Sequence, residues 1–332
     1  MTVIKKDPDK DLVILNLTDL HYGSNDEYDP DTVGKVIRYT VPELISRVKP
    51  DIITVSGDLA EESDLENYRE ICKYLDSFGI PWAPVMGNHD NNLSPCDMEL
   101  LGTIYASFDT CLFERGEPSL GFGNYIISVE QNGEPLSALF MMDSHNKVKV
   151  TFNGREKHVG ADLTELQLQW YSENVHRLME NGCGDTAMIF HFPPFASDEA
   201  YKAARNRGVS SADIDPRDTE GSDVWKEAYR DSFGINYNPD SCCYPIDNGL
   251  LDLLVSIGST KHVIFAHDHV NNASVCHRGV RFTYGTTTGC GGYFDPRMCG
   301  GTVLTVNGDG KMSVRHEYVD VTMITAPQGH IL

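Results

Sequence analysis

Short apolar runs, each ending abruptly in a polar cluster, set the rhythm of this chain. "LVILNLTDLHYG" (12–23), "DIITVSGDLA" (51–60), "PWAPVMGNHD" (81–90), "TAMIFHFPPF" (186–195) and "KHVIFAHDHVNN" (261–272) are nearly continuous hydrophobic segments of strand length. That pattern belongs to strands covered on both faces. Helical periodicity fills residues 33–47 and 64–78, giving a β-α-β-α-β order. Thr164-Glu165-Leu166-Gln167 is a capping box, which predicts a helix with Leu168, Tyr171, Val175 and Leu178 on one face and an end near Gly182. Beyond residue 261 the helices stop, and "ASVCH", "VRFTYG" and "TVLTVNGDGKMSVRHEYV" predict antiparallel strands with glycine turns. Residues 196–247 are polar, rich in Gly, Ser and Asp, and carry no clear period. A stretch of that kind inside a compact domain predicts a functional lid or cap. With no internal repeat and no low-complexity linker, residues 1–332 read as one domain.

Charge narrows the partners. Lysine and arginine total 27 against 49 aspartates and glutamates, a formal net charge of -22. Such a surface is unsuited to long nucleic acid or anionic membrane, and it repels a polyanionic substrate unless cations sit at the site. The start, "MTVIKKDPDKDLVILNL", is neither a signal peptide nor a membrane span. Nine cysteines without a C-x-x-C pair suggest reduced thiols in the cytoplasm. The adjacent Cys242 and Cys243 read as ordinary loop thiols, with a redox or metal role as the second reading.

The chemistry lies where the strands stop. The first run supplies Asp19 and His21, the second Asp58, the third Asn88, His89 and Asp90, the fourth His191, and the fifth His267 and His269. Five of the twelve histidines therefore stand at strand exits, where open α/β sheets bind ligands. Asp19, His21, Asp58, Asn88, His191, His267 and His269 make seven candidate ligands. A single zinc-type ion needs about four, so two ions sharing one carboxylate fit better. Mixed imidazole and oxygen donors suit manganese, iron or zinc rather than magnesium or calcium. On an extended chain the D-x-H and H-x-H spacings would point both side chains the same way.

In their order, these motifs (D-x-H, GD, GNHD, a strand-final histidine and a closing H-x-H) resemble those of the calcineurin-like metallophosphoesterases, which include purple acid phosphatases and protein Ser/Thr phosphatases. "VIFAHDHVNN" with "YGTTTGCGGY" looks most similar to the small eukaryote-type phosphatases related to purple acid phosphatases. The resemblance runs from Asp19 to His269. It implies a two-sheet αββα sandwich, with mixed sheets flanked by helices, and hydrolysis of a phosphoester by metal-activated water. By the same resemblance one ion falls to Asp19, His21, Asp58 and His269, and the other to Asp58, Asn88, His191 and His267, with Asp58 bridging. His89 takes the family's non-ligating position facing substrate, and Asp90 would fix the turn or a neighbouring imidazole. Two positions depart from the pattern. Ala266 replaces the usual glycine before H-x-H. Glu61 stands where purple acid phosphatases carry a metal-bound tyrosine and protein phosphatases an aspartate paired with the catalytic histidine.

The expected substrate is a phosphorylated small molecule or phosphoprotein, with Asn88, His89, Arg205 and Arg207 as candidate contacts. The two arginines read equally well as solvated loop charges. A phosphodiesterase acting on a cyclic or small nucleotide, and a non-catalytic binding module that keeps the fold, are the competing readings.

Overall fold

The computed structural model describes residues 1–24, 28–61, 65–152, 154–210, 214–238 and 243–325. In chain order its elements begin with β1 (Thr2–Lys6), β2 (Leu12–Leu17), α1 (Pro30–Val48), β3 (Ile52–Val55), α2 (Leu65–Asp76), β4 (Trp82–Pro84) and α3 (Pro95–Tyr105). Next come β5 (Tyr125–Gln131), β6 (Glu134–Met141), β7 (Lys147–Phe152), β8 (Arg155–Gly160), α4 (Glu165–Glu180), β9 (Thr186–Ile189) and α5 (Phe195–Ala204). The chain closes with α6 (Leu250–Ile257), β10 (Thr260–Phe265), β11 (Ser274–His277), β12 (Val280–Tyr284), β13 (Gly300–Val306), β14 (Met312–Tyr318) and α7 (Thr322–Thr325).

Two mixed sheets stack face to face. One has the order β14-β13-β2-β3-β4 and the other β1-β5-β6-β9-β10-β12-β11. Alternation along β2 shows why: Leu12 and Ile14 enter the layer between the sheets, beside Ile127, Leu139, Ile189 and Ile264 of the opposite sheet. Leu15 and Leu17 face the other way, onto α1 through Val36, Ile37 and Leu44. On the outer face of the second sheet, Tyr171 and Val175 of α4 pack with Ala200 of α5 and Leu254 of α6. The result is the αββα sandwich. Both halves of the predicted capping box form, Gln167 N donating to Thr164 Oγ1 at 3.3 Å and Thr164 N to Gln167 Oε1 at 2.8 Å.

The charged N-terminus is strand β1, paired in parallel with β5. The half beyond residue 261 is not wholly antiparallel, since β12 pairs in parallel with β10 and a short helix, α7, follows β14. Residues 196–247, read as a lid or cap, contain regular and packed structure. They carry most of α5, and Ala200, Trp225 and Ile235 are buried in the core of the second sheet. Cys242 lies outside the described residues, and the eight described cysteines, Cys243 among them, are free thiols. No helix among the described residues is long and apolar enough to cross a membrane.

Candidate metal centre

The exits of β2, β3, β4, β9 and β10 meet at one end of the sandwich, and all seven candidate ligands converge there. Asp19 and His21 are not extended, as the D-x-H spacing suggested. They sit at φ 50° and 46°, and Asp58 and His267 at 51° and 84°. A left-handed conformation costs a non-glycine residue about 1–2 kcal/mol, so the surroundings must impose it. Asp19 N donates to Gly57 O (3.2 Å) and His21 N to Asp58 O (3.0 Å), locking the two loops together. Gly57 itself has φ 99°, and a Cβ there would lie 2.6 Å from His191 Nδ1, so only glycine fits. Ala266 is not among the left-handed residues; the strain moves one place on, to His267.

Two clusters share Asp58. In the first, His269 Nε2 lies 3.2 Å from His21 Nε2 and 3.4 Å from Asp19 Oδ1. In the second, His191 Nε2 lies 3.2 Å from each of Asn88 Oδ1, His267 Nδ1 and Asp58 Oδ2. Asp58 Oδ2 is also 3.6 Å from His21 Nε2, which links the clusters.

Proton placement decides what this arrangement is for. His191 Nδ1 meets the Ser56 carbonyl at 2.9 Å and must carry a hydrogen to do so. Neutral His191 therefore presents a bare lone pair from Nε2 to a carboxylate, an amide oxygen and a second imidazole. Burial opposes charge on His191, yet Asp58 raises its pKa to about 9, so a proton would fill the gap in the bare chain. A metal ion satisfies the same acceptors without it. Burial lowers His21 to about 4 and holds His267 well below its ordinary range, leaving both as neutral donors of lone pairs. Although burial works against ionisation, the histidines beside them hold Asp19 at about 2 and Asp58 well below the carboxylate range. Asp19 Oδ1 is buried with no hydrogen-bond partner among the described residues. An orphaned carboxylate oxygen beside two imidazoles is the environment of a cation site.

The sequence candidates outside the ligand set divide. His89 packs edge-on against His21 (centroids 4.6 Å, 86°) and its Nδ1 lies 3.4 Å from Glu61 Oε1. Its backbone N–H donates to Asp58 Oδ1 at 2.9 Å. Asp90 touches no imidazole and does not reach the crevice. Fully buried, it accepts from Asp58 N and Gly87 N (both 2.8 Å) and from the Tyr68 hydroxyl (2.8 Å), so it fixes the turn. Burial, with the Asp58 charge adding to it, raises its pKa to about 6. Arg205 and Arg207 are not in the crevice: Arg205 is spent on the carbonyls of Asn206, Val209 and Val224, and Arg207 is exposed.

What sequence reasoning missed lines the cavity of about 410 Å³ above the ligands: Lys147, Asn238, Asp268 and Tyr293. Tyr293 stacks on His269 (5.1 Å, 15°) and donates to Asp268 Oδ1 at 2.7 Å. A Cβ on Gly291 would meet His21 Cβ at 2.3 Å, so this loop follows the ligands closely because glycine precedes the tyrosine.

The family model for calcineurin-like phosphoesterases matches residues 12–271, which hold every residue of both clusters. The chain belongs to the calcineurin-like phosphoesterase family. Among curated relatives, a protein named probable inactive purple acid phosphatase 14 from Arabidopsis thaliana is 24% identical over 84% of this chain and 71% of its own length. A probable cyclic nucleotide phosphodiesterase from Xenorhabdus bovienii is 33% identical, over 24% of this chain and 34% of its own. In fold, this calcineurin-like phosphoesterase is similar to a dimetal phosphatase from Danio rerio (TM-score 0.61, 12% identity, covering 93% of this chain and 96% of that one).

Proposed function

We propose that this phosphoesterase hydrolyses phosphomonoesters at two transition-metal ions held by Asp19, His21, Asp58 and His269 and by Asp58, Asn88, His191 and His267. The observation that carries the reading is the convergence of imidazole nitrogens with carboxylate and amide oxygens on two points that share Asp58. Manganese, iron and zinc all suit this donor set. Bound ions lower the pKa of water and polarise phosphoryl oxygens. The chain's own part is then to place the ester and move a proton. His89 stands beside the ligands with Glu61 at its Nδ1, facing the crevice where an ester would sit. Glu61 orients the ring, which in its protonated form can donate to a phosphoryl oxygen or to the leaving alkoxide.

The name of the Arabidopsis relative favours a non-catalytic module, and the partial match to a cyclic nucleotide phosphodiesterase favours diesters. Against the first, all seven donors are present and positioned. The test is metal removal and reconstitution followed by a panel of mono- and diesters. Chelator-sensitive hydrolysis with monoesters turned over fastest is expected. No turnover by fully remetallated protein would leave the module reading; faster diester turnover would reverse the preference.

A further inference from the structure

A chain of net charge -22 must still admit an anion, and a cationic side chain at the crevice adds to any preference that bound ions have for a doubly charged monoester over a singly charged diester. Among the described residues lining the crevice, Lys147 is the one lysine or arginine; the undescribed stretches contain neither residue type. It opens β7 on the wall that also carries His267 and His89. Its ammonium has no hydrogen-bond or ion-pair partner among the described residues, whereas Arg47, Arg217, Arg281 and Arg297 are each paired with a carboxylate.

The backbone beneath Lys147 is clamped from three directions. Lys147 N donates to Asn146 Oδ1 (2.6 Å), and Asn146 Nδ2 donates to Asn92 Oδ1 (2.6 Å) in the loop that follows His89. Ser144 Oγ accepts from Phe192 N (2.9 Å) just after His191. Gln167, in the first turn of α4, donates from Nε2 to Asp143 O (2.6 Å). These bonds fix the backbone from which Lys147 projects at the rim of the crevice.

We propose that Lys147 is the specificity residue of this crevice: it meets the second negative charge of a phosphomonoester, and so selects monoester over diester. The proposal rests on the phosphoesterase reading above. No ligand position is touched, so Lys147→Gln keeps its metal content. Its kcat/KM for a monoester falls by about 10–100-fold, the order of one hydrogen bond to a charged group, through KM more than kcat, while that for a diester shifts much less. Lys147→Arg restores most of the loss. Rising salt weakens monoester binding to the parent protein more than to Lys147→Gln.

The decisive experiment pairs these rates with calorimetric Kd values of metal-loaded protein for inorganic phosphate and for dimethyl phosphate. The expected result is a phosphate-to-dimethyl-phosphate preference that drops with Lys147→Gln in proportion to the rates. Equal losses for both anions, or none, overturn the role of Lys147. If the loaded parent hydrolyses neither ester class, the catalytic reading falls, and the Kd ratio still decides Lys147 by itself.

Discussion

His316 on β14 is half-buried and His191 at the exit of β9 is buried, and their ring nitrogens meet different company. His316 Nε2 donates to the Asn272 carbonyl (2.8 Å) and its Nδ1 takes the Thr302 hydroxyl (3.0 Å). Every polar atom of that ring is matched within the protein, and burial holds its pKa at about 4. His191 has one nitrogen matched, by Ser56 O, while the other faces acceptors on three sides. A histidine whose two nitrogens are both satisfied is a framework residue. One that aims a lone pair at carboxylates and other lone pairs is half of a coordination site.

The strongest way to break this contrast is Asp58→Asn. The shared carboxylate is lost, so metal uptake should fall below two ions and hydrolysis should drop further than for any non-ligand change, as read by elemental analysis and turnover on the same sample. Next comes His89→Asn, which removes no ligand. Metal content should hold while the rate on an alkyl ester falls by roughly 10²–10⁴, with a smaller loss on an aryl phosphate whose phenolate leaves unaided. Equal losses on both would assign His89 to the phosphoryl oxygens instead of the leaving group.

Asp90→Asn sharpens the comparison on the framework side. It sets an amide nitrogen against backbone N–H donors in a fully buried turn, so unfolding free energy should fall by about 1–3 kcal/mol, measured by denaturant titration. His316 tests the framework side through pH. Its pKa drops from 6.5 to about 4 on folding, so between those values the unfolded chain binds the extra proton. Stability is then fully present above about 6.5 and declines as pH falls toward 4, by up to about 1.4 kcal/mol per pH unit. Denaturation curves of parent and His316→Gln should diverge above pH 6.5 and converge near pH 4; a constant gap would contradict this assignment.

Long apolar runs and strand-exit polar clusters were legible in sequence because they report burial on both faces and a shared crevice. The helices α1, α2 and α4 were legible through their period and, for α4, the capping box. The rest was hidden for physical reasons. Strand β1 (TVIKK) has no apolar run, with Val3 exposed and Lys6 buried, and owes its place to pairing with β5, not to its own pattern. The segment after His191 read as polar because Trp225 and Ile235 reach the core singly, between turns. Arg205 read equally as a phosphate contact or a loop charge because sequence cannot show that its guanidinium is used up by carbonyls of its own loop. Lys147 carried no signal at all: a lysine opening a charged hairpin is ordinary until Asn146 and Asn92 are seen to fix it beside His267.

The central claim is that two ions share Asp58, and the most direct test is to count them. Protein stripped of metal, reloaded separately with manganese, iron or zinc, and shown to be active should hold two ions per chain by elemental analysis. Asp58→Asn, treated identically, should hold fewer. An active parent protein containing one ion or none, or an Asp58→Asn variant that still binds two, would contradict the account.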